Sequence, residues 1–174
     1  IHQAEIFSST AGLERMGVKV DTSSLDYSKV QAESRKAAET LSKGVQYLLK
    51  KNKVELIEGE AVISGEHEVT VKPVGENTAD SPGEQKISGD NIMIAAGSSP
   101  KQIPGFDFDG KTIMNSNDAL MMTELPESMI ILGAGAIGCE FAHILGSFGV
   151  QITIVEMLDQ ILPFLGREFL SAER

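Results

Sequence analysis

The feature that most constrains this chain is an apolar run that breaks into three spaced glycines and continues as an amphipathic segment. Ile130–Leu132 is followed by G-x-G-x-x-G at positions 133–138. A strand, a tight turn and a helix in that order place the first amides of the helix at the mouth of the turn. Gly133 then permits the turn, Gly135 lets a pyrophosphate approach the backbone, and Gly138 lets the helix pack on the strand. The segment therefore predicts a dinucleotide-binding unit.

A second apolar run supports this interpretation. Gln151–Val155 follows the helix-ending Gly149 and leads into Glu156. A carboxylate about twenty residues after the glycines accepts hydrogen bonds from an adenosine ribose and would repel the 2′-phosphate of NADP. Residues 157–160 include no arginine that could bind such a phosphate. The pattern predicts NAD as the ligand, and the alternative is that Glu156 is only a solvated residue at a strand end.

The composition is that of a globular chain with an acidic surface. The 174 residues are 41% hydrophobic and 23% charged, and the formal net charge is −10. Lysine and arginine are scattered, so the chain has no basic face of the kind that binds nucleic acid. No apolar run is long enough to cross a bilayer. We therefore expect neither nucleic acid nor membrane among its partners.

Residue types that often carry metal or disulfide chemistry are sparse. Cys139 is the single cysteine and cannot form an internal disulfide. Its position beside Gly138 favours a small buried thiol over a reactive one. His2, His67 and His143 lack neighbours at metal-ligand spacing. We expect no metal site.

The N-terminal half predicts two helices. The first opens the chain and ends near residues 8–10, and the second runs from an N-cap at Asp26 or Ser28 to about Lys51. Apolar residues recur along the second helix at three- and four-residue spacing, which predicts one buried stripe. The stripe comprises Val30, Ala37, Leu41, Val45, Leu48 and Leu49.

The middle of the chain predicts a set of antiparallel strands. Runs rich in β-branched residues, with a turn at positions 64–67, indicate such pairing. The predicted strands are Val54–Ile57, Glu60–Ile63, Glu68–Val71, Gln85–Ser88 and Asn91–Ala96. Positions 77–83 predict a polar surface loop, and a short helix capped near Ser116 precedes the nucleotide strand.

These elements predict an α/β fold in two bodies, at residues 1–114 and 115–174. The first mixes helix with antiparallel strands, and the second opens a parallel α/β unit. The chain starts at Ile1, inside a predicted helix, and ends soon after the second nucleotide strand, whereas a mononucleotide-binding half usually has a third parallel strand. We therefore expect a piece of a longer protein.

A segment before the predicted dinucleotide-binding turn resembles a known family. Asn91–Pro100, followed by Ile103–Gly105, is similar to the second flavin motif of the two-dinucleotide disulfide oxidoreductases, with Ala96 where threonine is usual. Ile1–Glu5 is similar to the segment just after the redox-disulfide helix of that family. The glycine turn and its acidic partner follow at the separation that the family keeps. The resemblance covers essentially the whole chain and is greatest to the dihydrolipoamide dehydrogenase branch.

The resemblance implies two cofactors. Residues 1–114 would be part of an FAD-binding domain with an antiparallel β-meander, and residues 115–174 the first β-α-β of a Rossmann-like NAD-binding domain. The NAD-binding residues would be Gly133, Ala134, Gly135, Ala136, Ile137, Gly138, Cys139, Glu140 and Glu156. The FAD-binding residues would be Ala61, Ala96, Gly97 and Ser98.

Two of these positions carry a further implication. Glu140 matches a glutamate that in the family faces the flavin and pairs with a lysine near the redox cysteines. The alternative is a helix-start glutamate favoured by the helix dipole. Ile137 would lie near the path of the nicotinamide.

The resemblance also implies an activity. Dihydrolipoamide, free or on a lipoyl domain, would reduce a cysteine pair, and electrons would pass through FAD to NAD. The protein would be a homodimer within 2-oxo acid dehydrogenase complexes, in the cytoplasm or, in a eukaryote, in the mitochondrial matrix or plastid. The chain has no cysteine pair, so we expect no catalytic residue in it and no activity from it alone. Two alternatives stay open: a soluble pyridine nucleotide transhydrogenase and a noncatalytic nucleotide-binding scaffold.

Overall fold

The computed structural model describes residues 1–74 and 83–162, which form helices and two small sheets. The elements in chain order are α1 (His2–Arg15), α2 (Tyr27–Lys51), β1 (Glu60–Gly65), β2 (Glu68–Lys72), β3 (Gln85–Ser88), α3 (Ser116–Leu120), β4 (Ser128–Leu132), α4 (Ala136–Ser147) and β5 (Gln151–Val155). One sheet has the order β1-β2-β3, and the other pairs β4 with β5. The predicted α/β class is confirmed. The polar loop predicted at 77–83 lies outside the described residues except for Gly83.

The chain divides into two compact units. One comprises Ile1–Arg35 with the chain from Pro100 onward, and the other comprises Lys36–Ser99. We call them the nucleotide unit and the meander unit. The predicted boundary between an FAD-binding part (1–114) and an NAD-binding part (115–174) stays a prediction, since it concerns ligands and not only spatial grouping.

The nucleotide unit is built on a parallel strand pair. β4 and β5 pair without a break from Ser128 opposite Gln151 to Leu132 opposite Val155. The N–H of Gly133 then donates to the carbonyl of Val155 at 2.8 Å, which extends the ladder into the glycine turn. Because the strands are parallel, their carboxyl ends lie at one edge of the sheet. The predicted bounds of β5 and the predicted turn after β4 are confirmed.

The core of the nucleotide unit lies where α1 meets the end of α4. Leu145 and Ala4 are each 1% exposed, and the buried Phe148 follows α4 directly. The ring of Phe148 lies 5.1 Å from that of Phe7 and 5.4 Å from that of Tyr27, between ring centroids. Burial raises the pKa of the Tyr27 phenol. An aromatic cluster therefore joins the N-terminal segment to the helix behind the glycine turn.

Helix α1 is longer than predicted. It continues to Arg15 through the polar residues at which we expected it to end. The hydroxyls of Ser8, Ser9 and Thr10 donate to carbonyls three residues earlier, at 3.1, 2.6 and 2.7 Å. Bonds of this kind satisfy the hydroxyls inside the helix, so these residues did not terminate it. The predicted end at residues 8–10 is wrong.

Helix α2 starts where its cap predicts. The carboxylate of Asp26 accepts hydrogen bonds from the N–H of Ser28 at 3.1 Å and from the Ser28 hydroxyl at 2.5 Å. The helix then runs to Lys51. An acidic acceptor before the first turn satisfies an amide that has no partner within the helix. Of the two predicted caps, Asp26 is confirmed.

The stripe on α2 that we predicted to be buried is not buried. Leu41, Val45 and Leu48 are 72%, 57% and 54% exposed, and no residue of α2 is buried. Helical periodicity shows which face is apolar, whereas burial also needs an element that covers this face. The described residues supply no such cover, and the prediction of burial is therefore wrong for this chain.

The meander unit contains the antiparallel sheet. β1 pairs with β2 and β2 with β3, as the sequence predicts. A chain of polar side chains crosses all three strands: Thr70 donates to Ser64 at 2.9 Å, Ser64 donates to Glu68 at 2.8 Å, and Lys86 contacts Glu68 at 3.0 Å. The Lys86 and Ser64 hydrogen bonds keep the pKa of Glu68 below its ordinary value. These bonds satisfy the buried hydroxyl of Thr70 and link the strands.

Two predicted strands do not form. Val54–Ile57 and Asn91–Ala96 are irregular in the structure. A β-branched run becomes a strand only when another backbone completes its ladder, and no described segment does so for either run. Both predictions are wrong for this chain. The short helix predicted near Ser116 is confirmed as α3, with Asn115 as its N-cap.

The aromatic cluster generates a stability prediction. We expect Phe148→Ala to lower the free energy of unfolding by about 3 kcal/mol, because it removes a buried ring that contacts two others. Phe106→Ala is the matched control, since that ring is 43% exposed, and its effect should be less than half as large. Urea unfolding followed by circular dichroism measures both. Equal effects would show that the cluster does not stabilise the fold.

Candidate functional site

The glycine turn joins the end of β4 to the start of α4. Gly133 has a φ of 108°, a conformation that residues with a side chain rarely adopt. Gly135 is the N-cap of α4, and no side chain of the described residues caps this end. The first amides of a helix lack partners within it and carry the positive end of its dipole. The turn therefore presents hydrogen-bond donors at the carboxyl edge of the parallel pair.

Gly138 shows the close packing that the sequence predicts for it. A Cβ at this position would overlap the carbonyl oxygen of Gly133 and lie 3.3 Å from Cγ2 of Ile131. The first turn of α4 thus rests directly on the backbone of the strand end. A larger residue would push the helix away from the sheet.

Gly135 differs from these two glycines. Its φ of −76° is ordinary, and an added Cβ would meet no heavy atom of the described residues within 4 Å. Neither backbone strain nor packing within the chain requires glycine there. The missing side chain instead leaves open space at the mouth of the turn, as a ligand that approaches the backbone would need.

The carboxylate of Glu156, the residue directly after β5, points back toward the glycine turn. Its Oε2 accepts a hydrogen bond from the N–H of Ala134 at 2.7 Å. Its Oε1 accepts from the N–H groups of Met157 and Leu158 at 2.7 and 2.9 Å. These bonds, the one from Ala134 foremost, hold the pKa of Glu156 below its ordinary value. The carboxylate is therefore ionised at neutral pH and fixed in orientation.

Ala134 is buried, and both its backbone N–H and its carbonyl are hydrogen-bonded. It is 0% exposed, and its carbonyl accepts a hydrogen bond from the N–H of Leu162 at 2.8 Å. The thiol of Cys139 donates a second hydrogen bond to the same oxygen at 3.5 Å. Sequence reasoning missed Leu162, which has a φ of 48°. A backbone donor after a strand has no side-chain signal, and leucine does not indicate that conformation.

The structure brings the predicted NAD-binding residues together at this edge. Ala136, Ile137 and Glu140 are exposed on the first turns of α4, and Cys139 is half-buried. Ile137 is 60% exposed beside the turn. Their roles toward NAD, like those of the three glycines, of Ala134 and of Glu156, stay predictions.

The predicted FAD-binding residues lie in the meander unit. Ala96, Gly97 and Ser98 are exposed in an irregular segment, where Gly97 has a φ of 73°. Ala61 lies in β1, opposite Val71 on β2, and is also exposed. The strand predicted at Glu60–Ile63, which contains Ala61, forms as part of β1. The contacts of these residues with a flavin stay predictions.

Across positions 1–74 and 83–162, no cluster of three or more histidine, cysteine, aspartate or glutamate side chains is placed to hold a metal ion. No helix in the described part of the chain combines the length and apolar character needed to span a membrane.

Comparison with known sequences agrees with the geometry. The family model described as pyridine nucleotide-disulphide oxidoreductase matches residues 3–173. A dihydrolipoyl dehydrogenase of Chlorobaculum parvum is 39% identical to this chain over 163 residues, which cover 94% of the chain and 34% of the relative. The chain thus spans about a third of the length of the curated relatives it matches.

Two solved structures share the fold. LpdA from Mycobacterium tuberculosis superposes with a TM-score of 0.71 at 22% identity, over 92% of this chain and 36% of its own. The flavoprotein disulfide reductase RclA from Escherichia coli was solved as a Cu(II) complex of a mutant. It superposes with a TM-score of 0.67 at 24% identity, over 97% of this chain and 33% of its own. At these identities the similarity concerns the fold alone.

The glycines of the turn generate a second stability prediction. We expect Gly138→Ala to destabilise the fold by about 1–3 kcal/mol through overpacking. Gly133→Ala should cost about 1–2 kcal/mol through backbone strain. Gly135→Ala is the internal control and should cost about 0.5–1 kcal/mol, less than either of the others, because alanine is a poorer N-cap than glycine. Thermal and urea unfolding distinguish the three, and a Gly135 variant as unstable as the others would refute the assignment.

Proposed function

The chain belongs to the pyridine nucleotide-disulphide oxidoreductase family, and we propose that it supplies the NAD-binding turn and part of the FAD-binding domain of a dihydrolipoyl dehydrogenase. The observation that carries the proposal is the uncapped start of α4 beside an ionised carboxylate, at the carboxyl edge of a parallel strand pair. The name of the Chlorobaculum relative supports the choice of enzyme within the family.

The turn fits a dinucleotide in two respects. Open space beside Gly135 would let a diphosphate reach the first amides of α4, which bind anions well. The carboxylate of Glu156 would accept a hydrogen bond from the adenosine ribose and repel a 2′-phosphate. NAD supplies the hydride acceptor when bound. The residues of the turn and Glu156 would bind and orient the dinucleotide. Ile137, exposed beside the turn, would border the nicotinamide path.

We assign the flavin to the meander unit. Ala61 and the segment Ala96–Ser98 would approach FAD, and the left-handed conformation at Gly97 turns the backbone there without a side chain. The description of RclA as a flavoprotein supports a flavin in proteins of this fold. Glu140 matches the glutamate that faces the flavin in the family. The substitution of alanine for the usual threonine at position 96 removes one hydroxyl from that contact.

The proposed reaction is the oxidation of dihydrolipoamide, free or on a lipoyl domain, through a redox disulfide and FAD to NAD. The sequence contains a single cysteine, Cys139, so the disulfide and the catalytic base would be supplied by other parts of a full-length protein. The chain by itself would be inactive. The full-length protein would act as a homodimer within a 2-oxo acid dehydrogenase complex, in the cytoplasm or in a mitochondrial matrix or plastid.

The direct test is to assay the full-length protein anaerobically. It should oxidise dihydrolipoamide with NAD, and its flavin should bleach when dihydrolipoamide is added without NAD. Hydride exchange between NADH and NADP without dihydrolipoamide oxidation would indicate a transhydrogenase instead. A protein that binds NAD but whose flavin is never reduced would be a noncatalytic scaffold.

Gly135 tests the diphosphate contact. We expect Gly135→Ala in the full-length protein to stay folded but to bind NADH about tenfold or more weakly, because a methyl group would enter the space next to the helix amides. Quenching of NADH fluorescence measures the dissociation constant. Unchanged affinity would place the diphosphate away from this turn.

Glu156 tests the choice between NAD and NADP. We expect Glu156→Arg to bind NAD roughly tenfold to hundredfold more weakly and to bind NADP more tightly. The change replaces a hydrogen-bond acceptor with a cation that attracts the 2′-phosphate. The ratio of kcat/KM for the two cofactors is the measurement. Glu127→Arg, an exposed glutamate just before β4, is the control for the same change of charge. If the ratio is the same in both variants, Glu156 does not contact the ribose.

A further inference from the structure

Glu156 makes contacts within the protein that ribose recognition does not require. Its Oε2 lies 2.7 Å from the N of Ala134, a residue 22 positions earlier in the chain. This bond joins the end of β5 to the turn that follows β4. The carboxylate therefore bridges the two strand ends.

The burial of Ala134 makes this bond important for the turn. The residue is 0% exposed, so water does not reach its amide in this conformation. A buried N–H that loses its acceptor costs the full desolvation of that group. Without Glu156 the turn would have to open or shift so that this amide could find another partner, and the donors at the start of α4 would move with it.

The other oxygen of Glu156 fixes the side chain in advance. Oε1 accepts from both Met157 and Leu158, at 2.7 and 2.9 Å. A carboxylate oxygen has about two acceptor positions, so Oε1 is fully used within the protein. Oε2 has one position left after it accepts from Ala134. A ribose hydroxyl would therefore share the same oxygen that holds the turn.

We propose that Glu156 is a positioning residue for the glycine turn as well as a ribose acceptor. Through the N–H of Ala134 it holds the turn at the spacing in which the first amides of α4 can reach a diphosphate. Loss of the carboxylate then weakens binding even of a dinucleotide with no ribose hydroxyl for it to contact. The inference rests on the proposed function, because it assumes that the turn binds the diphosphate of NAD.

A ligand-free measurement tests the first part. Hydrogen exchange of the Ala134 amide should be slow in the full-length wild-type protein and about tenfold or more faster in Glu156→Ala, with no nucleotide present. Glu156→Gln keeps one carbonyl oxygen and should give an intermediate rate. Glu127→Ala, which removes an exposed carboxylate at the opposite edge of the sheet, should leave the rate unchanged. Equal rates in all four proteins would overturn the proposal.

A second measurement separates positioning from ribose contact. The probes are NAD and its analogue that lacks both hydroxyls of the adenosine ribose. If Glu156 positions the turn, Glu156→Ala should bind the analogue about fivefold to tenfold more weakly than wild type does, and Glu156→Gln should lie between them. Equal affinity of all three proteins for the analogue would mean that Glu156 acts through the ribose alone. Failure of the wild-type protein to bind NAD would instead refute the proposed function.

Discussion

The hydrogen bond between the carboxylate of Glu156 and the buried amide of Ala134 is the contact on which the arrangement of the site depends. It becomes possible because parallel pairing places the ends of β4 and β5 at one edge. The bond from Gly133 to Val155 continues that pairing into the turn. The packing of Gly138 against Gly133 then sets the start of α4. The same few atoms thus determine both the turn and the direction of its donors.

The three glycines of the turn belong to one sequence motif, but the structure gives a different physical reason for each. Backbone conformation accounts for Gly133, and packing accounts for Gly138. Gly135 meets neither requirement: it is the N-cap of α4, and no described atom lies within 4 Å of a Cβ added there. The open space beside Gly135 is the feature of the turn that our proposal assigns to a diphosphate.

The site and the fold could be predicted from the sequence to different extents. The turn, α4 and β5 follow from local patterns, because the hydrogen bonds of a turn or helix are made between residues near in sequence. The strands expected at Val54–Ile57 and Asn91–Ala96 and the burial of the α2 stripe required a distant partner, and these predictions failed in the described chain. The end of α1 failed for a local reason, since serine and threonine hydroxyls can bond within a helix as well as end one.

The sequence by itself determined the class of fold, the glycine turn, the acidic residue after β5 and the family to which the chain belongs. Each of these depends on residue types at fixed spacing, which the order of amino acids contains directly. Only the tertiary structure decided that Glu156 bonds to Ala134, that Leu162 closes the other side of this residue, and that α1 packs on α4 through an aromatic cluster. The physical reason is that a backbone amide or a buried ring acquires its partner from chain segments brought together in space, and spacing along the sequence does not encode that approach.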